Sequence, residues 1–264
     1  MKITVLAENT ACREDLTCEH GLSLFIETGK HRILFDAGQT DAFAENAEKL
    51  GIDLKTADLA ILSHGHYDHS GGIARFLEAN SVAPVYLHRE AFTPHYNADG
   101  KYIGVDPALA ESPRLHFTDR EETLAEGITL HSCNHLPRPV PFGSFGLTMQ
   151  ASGQIQPDDF RHEQYLLIEE KGKRICVSGC SHKGILNIVS WFRPDVLVGG
   201  FHFMRLDPAV PADAEALDAA ATRLLDGKTQ YYTGHCTGES QFAFLKARMG
   251  QRLQALSTGC VIHL

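Results

Sequence analysis

The sequence predicts an α/β protein built from two mixed β-sheets with helices packed outside them. Three observations predict it. Strand-like segments occur in both halves of the chain, and helical segments lie between them instead of forming one block. The composition, 43% hydrophobic and 22% charged over 264 residues, suits a packed core.

Lys2–Glu8, Leu22–Thr28 and Arg32–Asp36 read as short strands, the last two joined by the tight turn Thr28-Gly29-Lys30. Asp41–Leu50 carries Phe43, Ala44, Ala47 and Leu50 at helical spacing and stops at Gly51. Leu59–Leu62 is a buried strand that runs into SHGHYDHSGG, followed by a short helix at Ile73–Ala79 and a strand at Val85–His88. Residues 91–125, rich in Pro, Gly and charge, read as a lid or insertion within a single domain spanning 1–264. Strands resume at Ile128–His131, Leu147–Ala151, Tyr165–Glu169 and Arg174–Ser178. A helix is expected from near His182 to Phe192, where Pro194 stops it, and a strand at Val196–Val198 ends in Gly199-Gly200. An Ala-rich helix over 211–225, a strand at Gln230–Thr233, a helix over 239–249 and a strand near Val261–His263 complete the chain.

The bulk properties narrow the functions. No apolar run approaches the ~18 residues of a membrane span, and MKITVLAEN lacks the apolar core of a secretory signal, which points to the cytoplasm. A net charge of −9 offers no basic field for nucleic acid. Seven scattered cysteines read as free thiols in a reducing compartment, Cys12 and Cys18 included. The expected partner is a small molecule, anionic ones included, with neither nucleic acid nor membrane; oligomeric state is not legible.

Histidine is the outlier, with fifteen residues, and the question is where they cluster. SHGHYDHSGG places His64, His66, Asp68 and His69 within six positions. His64 and His66 lie two apart at a strand end and share a direction; Asp68 and His69 follow in the turn. Two imidazoles for one ion, with a carboxylate and an imidazole for a second, suit zinc or a similar divalent metal. Ser70-Gly71-Gly72 lets backbone approach closely. A merely histidine-rich surface turn would leave these groups crowded for no electrostatic reason.

These residues resemble the metallo-β-lactamase superfamily, whose hallmark is His-x-His-x-Asp-His. The resemblance extends to LFDAG at 34–38, SGCSH at 178–182, GGFH at 199–202 and TGHCTG at 233–238. Those later stretches are most similar to one branch, typified by an archaeal 7,8-dihydropterin-6-yl-methyl-4-(β-D-ribofuranosyl)aminobenzene 5′-phosphate synthase and including bacterial metal-dependent hydrolases. The resemblance implies a four-layer αββα sandwich of two mixed sheets flanked by helices. It implies His64 and His66 on a first metal, Asp68, His69 and His235 on a second, and Asp36 orienting a ligand histidine from behind. The cofactor it implies is one or two divalent ions, zinc foremost, with Mn, Fe, Ni and Co as alternatives.

The chain departs from the family where most members place a mid-chain histidine and then a bridging aspartate. Cys180 stands at the aspartate position, as a candidate ligand or a buried structural thiol. His182 is expected to supply the missing imidazole; His131, His135 and His162 are the other candidates. His202 is expected to face the cleft and, with Asp68, to handle protons. His20 matches a branch feature, and Lys183, at the expected helix start, could receive a phosphate or carboxylate. The activity expected is hydrolysis of an ester, lactone, phosphoester or related bond by a metal-bound hydroxide. The alternative is a pterin-linked transferase condensing a pterin diphosphate with an aminobenzene ribosyl phosphate. A redox di-iron enzyme is disfavoured, since such relatives carry glutamate where this chain has His66.

Overall fold

Near-continuous apolar runs bury both faces of the central strands in the computed structural model, which describes residues 1–264. In chain order the first half runs β1 (Lys2–Ala7), β2 (Ser23–Glu27), β3 (Arg32–Phe35), α1 (Ala42–Lys49), β4 (Leu59–Ile61), α2 (Tyr67–Ser70), α3 (Ile73–Ala79) and β5 (Val85–His88). It continues with β6 (His95–Tyr96), β7 (Leu115–Thr118), β8 (Glu121–Ala125) and β9 (Ile128–His131). The second half runs β10 (Thr148–Ala151), β11 (Gln154–Pro157), β12 (Tyr165–Glu170), β13 (Lys173–Val177), α4 (Ile185–Phe192) and β14 (Val196–Val198). It ends with α5 (Pro211–Leu225), β15 (Gln230–Thr233), α6 (Glu239–Met249), β16 (Leu253–Ala255) and β17 (Val261–His263).

Two seven-stranded sheets result, ordered β17-β1-β2-β3-β4-β5-β7 and β16-β15-β14-β13-β12-β9-β8. Each is mixed: antiparallel pairing through β1, β2 and β3 gives way to parallel pairing through β4, β5 and β7, and β13 to β16 are parallel beyond the antiparallel β9, β12 and β13. Ile33 and Phe35 of β3 and Ile175 and Val177 of β13 join one core between the sheets. Leu34, with the opposite parity, packs under Phe43 of α1 and Phe76 of α3. Cys176 likewise packs under Ile188 of α4 and Leu217 of α5. The layers are therefore αββα, as the sequence implied. No helix is long and apolar enough to cross a membrane, and all seven cysteines are unpaired.

Two sequence expectations meet a different structure. Residues 91–125 do not form one insertion: β7 pairs with β5 at the edge of the first sheet, and β8 pairs with β9 at the edge of the second. Only β6 from this stretch joins β10 and β11 in a separate three-stranded sheet. The helix expected from His182 begins at Ile185, because Gly184 takes a left-handed φ of 88° that no helical residue adopts.

Candidate metal centre

The site gathers at the carboxyl ends of parallel strands from both sheets. Asp36 follows β3, Ser63 and His64 follow β4, Cys180 and His182 follow β13, His202 follows β14, and His235 follows β15. Close approach of these turns excludes side chains at two glycines. A Cβ on Gly71 would sit 2.0 Å from the Gln39 carbonyl oxygen, and one on Gly179 would sit 2.2 Å from Ser63 Oγ.

Hydrogen bonds decide which ring nitrogens carry protons. Asp36 is fully buried and accepts the Ser63 N–H on Oδ1 at 2.7 Å. Its Oδ2 accepts the Ser63 hydroxyl and the His69 Nδ1–H, each at 2.7 Å. Ser63 Oγ, having spent its proton, accepts His64 Nδ1–H at 2.8 Å. His235 Nδ1–H donates to Asn9 Oδ1 at 3.1 Å. Each imidazole is thereby left with a bare Nε2 lone pair.

Each Nε2 in turn meets another imidazole nitrogen. His69 Nε2 lies 3.1 Å from His235 Nε2, and His64 Nε2 lies 3.3 Å from His182 Nε2. Lone pairs that close repel unless a proton or a cation stands between them. Asp68 Oδ2 lies 3.3 Å from His235 Nε2 and 3.7 Å from His69 Nε2. The donor atoms of His64, His66 and His182 converge as one group, and those of His20, Asp68 and His235 as another. The residues thus fit two adjacent cations.

In the metal-free site a proton takes that place at His235. Burial opposes charge on His235, but the bond from Asp68 and the neighbouring anionic groups hold its pKa up at about 9. Burial would raise the Asp68 carboxyl, yet His69 and His235 beside it keep it well below the usual carboxylate range. Burial pushes His64 and His182 down, with neighbouring imidazoles adding to it. Cys180 Sγ sits 3.2 Å from His69 Nε2, and burial, with Cys236 next, raises its thiol well above the ordinary range.

The remaining expectations fall on both sides. His182 does meet His64, stacked on its other face by Phe160 at 4.4 Å between ring centroids. His202 lies 4.2 Å from the His182 ring, has an unpartnered Nδ1 and is lowered by burial to about 3, so it is a neutral imidazole at physiological pH. His20 is partly exposed, its Nε2 3.5 Å from Asp68 Oδ2. His162 is buried beside the His66 ring at 5.1 Å, whereas His135 is exposed and His131 pairs with Thr129. A cleft of about 190 Å³ opens over these groups, lined also by Tyr67, Asn97, Phe145 and Arg205. Larger hollows lie elsewhere; one of about 320 Å³, mostly apolar, shares only Phe145 with the cleft.

Lys183 is a correction. It is 1% exposed, and its ammonium donates to the Ser132 and Glu163 carbonyls at 2.6 and 2.8 Å. The anion at this turn is internal: Glu163 Oε1 accepts His182 N–H at 2.7 Å, and Oε2 accepts Lys183 N–H at 3.0 Å together with the Tyr165 hydroxyl. Glu163→Gln would aim an amide N–H at existing donors. It is expected to cost about 3 kcal/mol in a denaturant titration of the metal-free protein; an unchanged midpoint would refute this anchoring.

Sequence reasoning also missed Glu8, whose Oε1 accepts the His235 N–H at 2.6 Å, and Asn9. It missed His95 and Asp158, buried together behind His66. No local pattern marks any of them.

The profile described as the metallo-beta-lactamase superfamily matches residues 16–221. A 7,8-dihydropterin-6-methyl-4-(beta-D-ribofuranosyl)-aminobenzene-5′-phosphate synthase of Methanocaldococcus jannaschii is 28% identical over 296 residues, covering 99% of this chain and 96% of that one. An uncharacterised protein of the same organism is 29% identical over 211 residues, covering 76% and 79%. Among solved structures, Tm1679, described as a metal-dependent hydrolase of the beta-lactamase superfamily, superposes with a TM-score of 0.84 at 26% identity over 100% of this chain and 99% of that one. With the αββα layers and the strand-end donors already in place, these matches decide the matter: the chain belongs to the metallo-beta-lactamase superfamily.

Proposed function

We propose that this protein is a metal-dependent hydrolase acting on an ester, lactone, phosphoester or related bond of a small molecule. The observation that carries the reading is the convergence of imidazole Nε2 atoms, His64 toward His182 and His69 toward His235, around Asp68. His64, His66 and His182 would hold one ion; Asp68, His69 and His235 would hold the other, with Cys180 beside them. A nitrogen-rich donor set with one carboxylate suits zinc. Bound divalent ions supply Lewis acidity and an activated water at neutral pH.

The chain's own residues do the rest. Asp68, held ionised, accepts a hydrogen bond from the attacking water and orients it. His202, neutral and with a free Nδ1, donates or accepts a hydrogen bond at the leaving group. Arg205, exposed at the cleft, supplies a cation to an anionic substrate group, and Asn97 a neutral amide.

The synthase relative, matched over nearly the whole of both chains, supports a second reading: transfer of a pterin group from its diphosphate to an aminobenzene ribosyl phosphate. Zinc-loaded protein offered p-nitrophenyl esters, a lactone and bis-p-nitrophenyl phosphate is expected to turn over at least one of them. Reaction of the pterin diphosphate and arylamine pair alone would favour the second reading. Inactivity toward both sets in protein carrying metal would sink both.

A further inference from the structure

Asp158 follows β11 and belongs to the stretch that carries the small third sheet. Its side chain is fully buried. Oδ1 accepts the Phe160 N–H at 2.7 Å, and Oδ2 accepts His95 Nδ1–H at 2.8 Å and His162 Nε2–H at 3.3 Å. His162 is locked in that tautomer, because its Nδ1 accepts the N–H of Gly65, the residue between His64 and His66, at 2.8 Å. A third side chain faces the same oxygen. His66 Nε2 is buried, has no hydrogen-bond partner, and lies 3.8 Å from Asp158 Oδ2.

We propose that Asp158 is the positioning carboxylate of His66. With an ion in the first site, His66 donates Nε2–H to Asp158 and presents Nδ1 to the ion. The separation of 3.8 Å is too long for a hydrogen bond, and ion binding closes it. The carboxylate then fixes the tautomer of His66, the task Asp36 performs for His69. The third sheet is by this route part of the metal centre: it brings His95 and Asp158 together from positions 63 residues apart. The assignment rests on the metal reading above.

The same four residues, His66, His95, Asp158 and His162, bring donor atoms within 4.8 Å of one another, which raises the rival idea of a further cation. Proton accounting disfavours it. His162 Nε2 must carry a proton while Nδ1 accepts from Gly65, and His95 Nδ1–H is spent on the carboxylate.

The test is a zinc titration of the full chain against a chromophoric chelator, in wild type, His66→Ala and Asp158→Asn. Asp158→Asn is expected to weaken one binding step by roughly 10- to 100-fold, the step that His66→Ala removes, and to leave the other step unchanged, while the metal-free melting temperature falls because the new amide meets the His95 and His162 N–H donors. Equal weakening of every step would mark Asp158 as a structural residue only and overturn the assignment. So would a folded Asp158→Asn protein with wild-type affinities, or a third bound ion that Asp158→Asn removes. A wild-type chain that takes up no ion overturns the metal reading itself. A second measurement needs no Asp158 variant: imidazole ¹H–¹⁵N spectra should show a slowly exchanging His66 Nε2–H on zinc loading. Its absence in loaded protein overturns the proposal even if Asp158→Asn does not fold.

Discussion

Asp68→Ala is expected to leave a folded chain that holds at most one ion and turns over substrate roughly 10²- to 10⁴-fold more slowly. The side chain is nearly buried, and its Oδ2 is the point on which His20, His69 and His235 converge. No other carboxylate reaches His235 Nε2, so nothing nearby can substitute. The same pair predicts how the metal-free protein responds to pH. His235 is raised from 6.5 to about 9 by Asp68 against the opposing effect of burial. A histidine whose folded pKa lies above its unfolded value adds stability that is fully present below the unfolded pKa. That stability is lost as pH rises through the folded pKa. The metal-free wild type should therefore lose roughly 3 kcal/mol between pH 6.5 and pH 9. Asp68→Ala should flatten that slope, since the imidazolium has lost its partner. Metal content by mass spectrometry, turnover, and chelator-treated melting curves across this range check the three parts. Full activity in the variant would remove Asp68 from the mechanism.

What the sequence showed and hid follows from how local each signal is. His64, His66, Asp68 and His69 are legible because one strand end and one turn carry them all, so spacing alone aims them together. His182, His202 and His235 are legible only as histidines just past strands, and the parallel order β13, β14, β15 is what brings them to one edge. His95 and Asp158 have no such marker; each is an ordinary polar residue in an irregular stretch, and their meaning lies in a pairing across 63 residues. Lys183 misleads for a related reason. A lysine at a helix start suggests an anion from outside, whereas Glu163, twenty residues earlier, already fills that position. Of the five strands that pattern analysis missed, β7, β8 and β11 carry mostly exposed or half-buried residues at sheet edges, so the period of two that marks a buried face is absent, and β6 and β16 are only two and three residues long.

Asp36 allows the structural and the metal-binding parts of the site to be separated by one pair of substitutions. Asp36→Ala strips three donors, the Ser63 N–H, the Ser63 hydroxyl and His69 Nδ1–H, of a fully buried acceptor. It also places alanine at a φ of 57°, where aspartate and asparagine are better tolerated. The expected cost is about 4 kcal/mol, or a fall in melting temperature of roughly 10 °C for a chain of this size, with metal affinity lost as well. Asp36→Asn behaves differently. Asparagine tolerates the left-handed backbone and fills the same volume, and its one oxygen can still accept from the Ser63 N–H. Its amide then meets His69 Nδ1 as a donor, which drives the ring proton to Nε2, the nitrogen that faces His235 at 3.1 Å. A protonated Nε2 cannot ligate. Asp36→Asn should therefore melt well above Asp36→Ala, though below wild type because the Ser63 hydroxyl loses its acceptor, and bind its second ion roughly 10- to 100-fold more weakly. Wild-type metal affinity in a well-folded Asp36→Asn protein would show that the His69 tautomer is set by the ion itself, and that the hydrogen-bond chain from Asp36 through Ser63 to His64 serves packing alone.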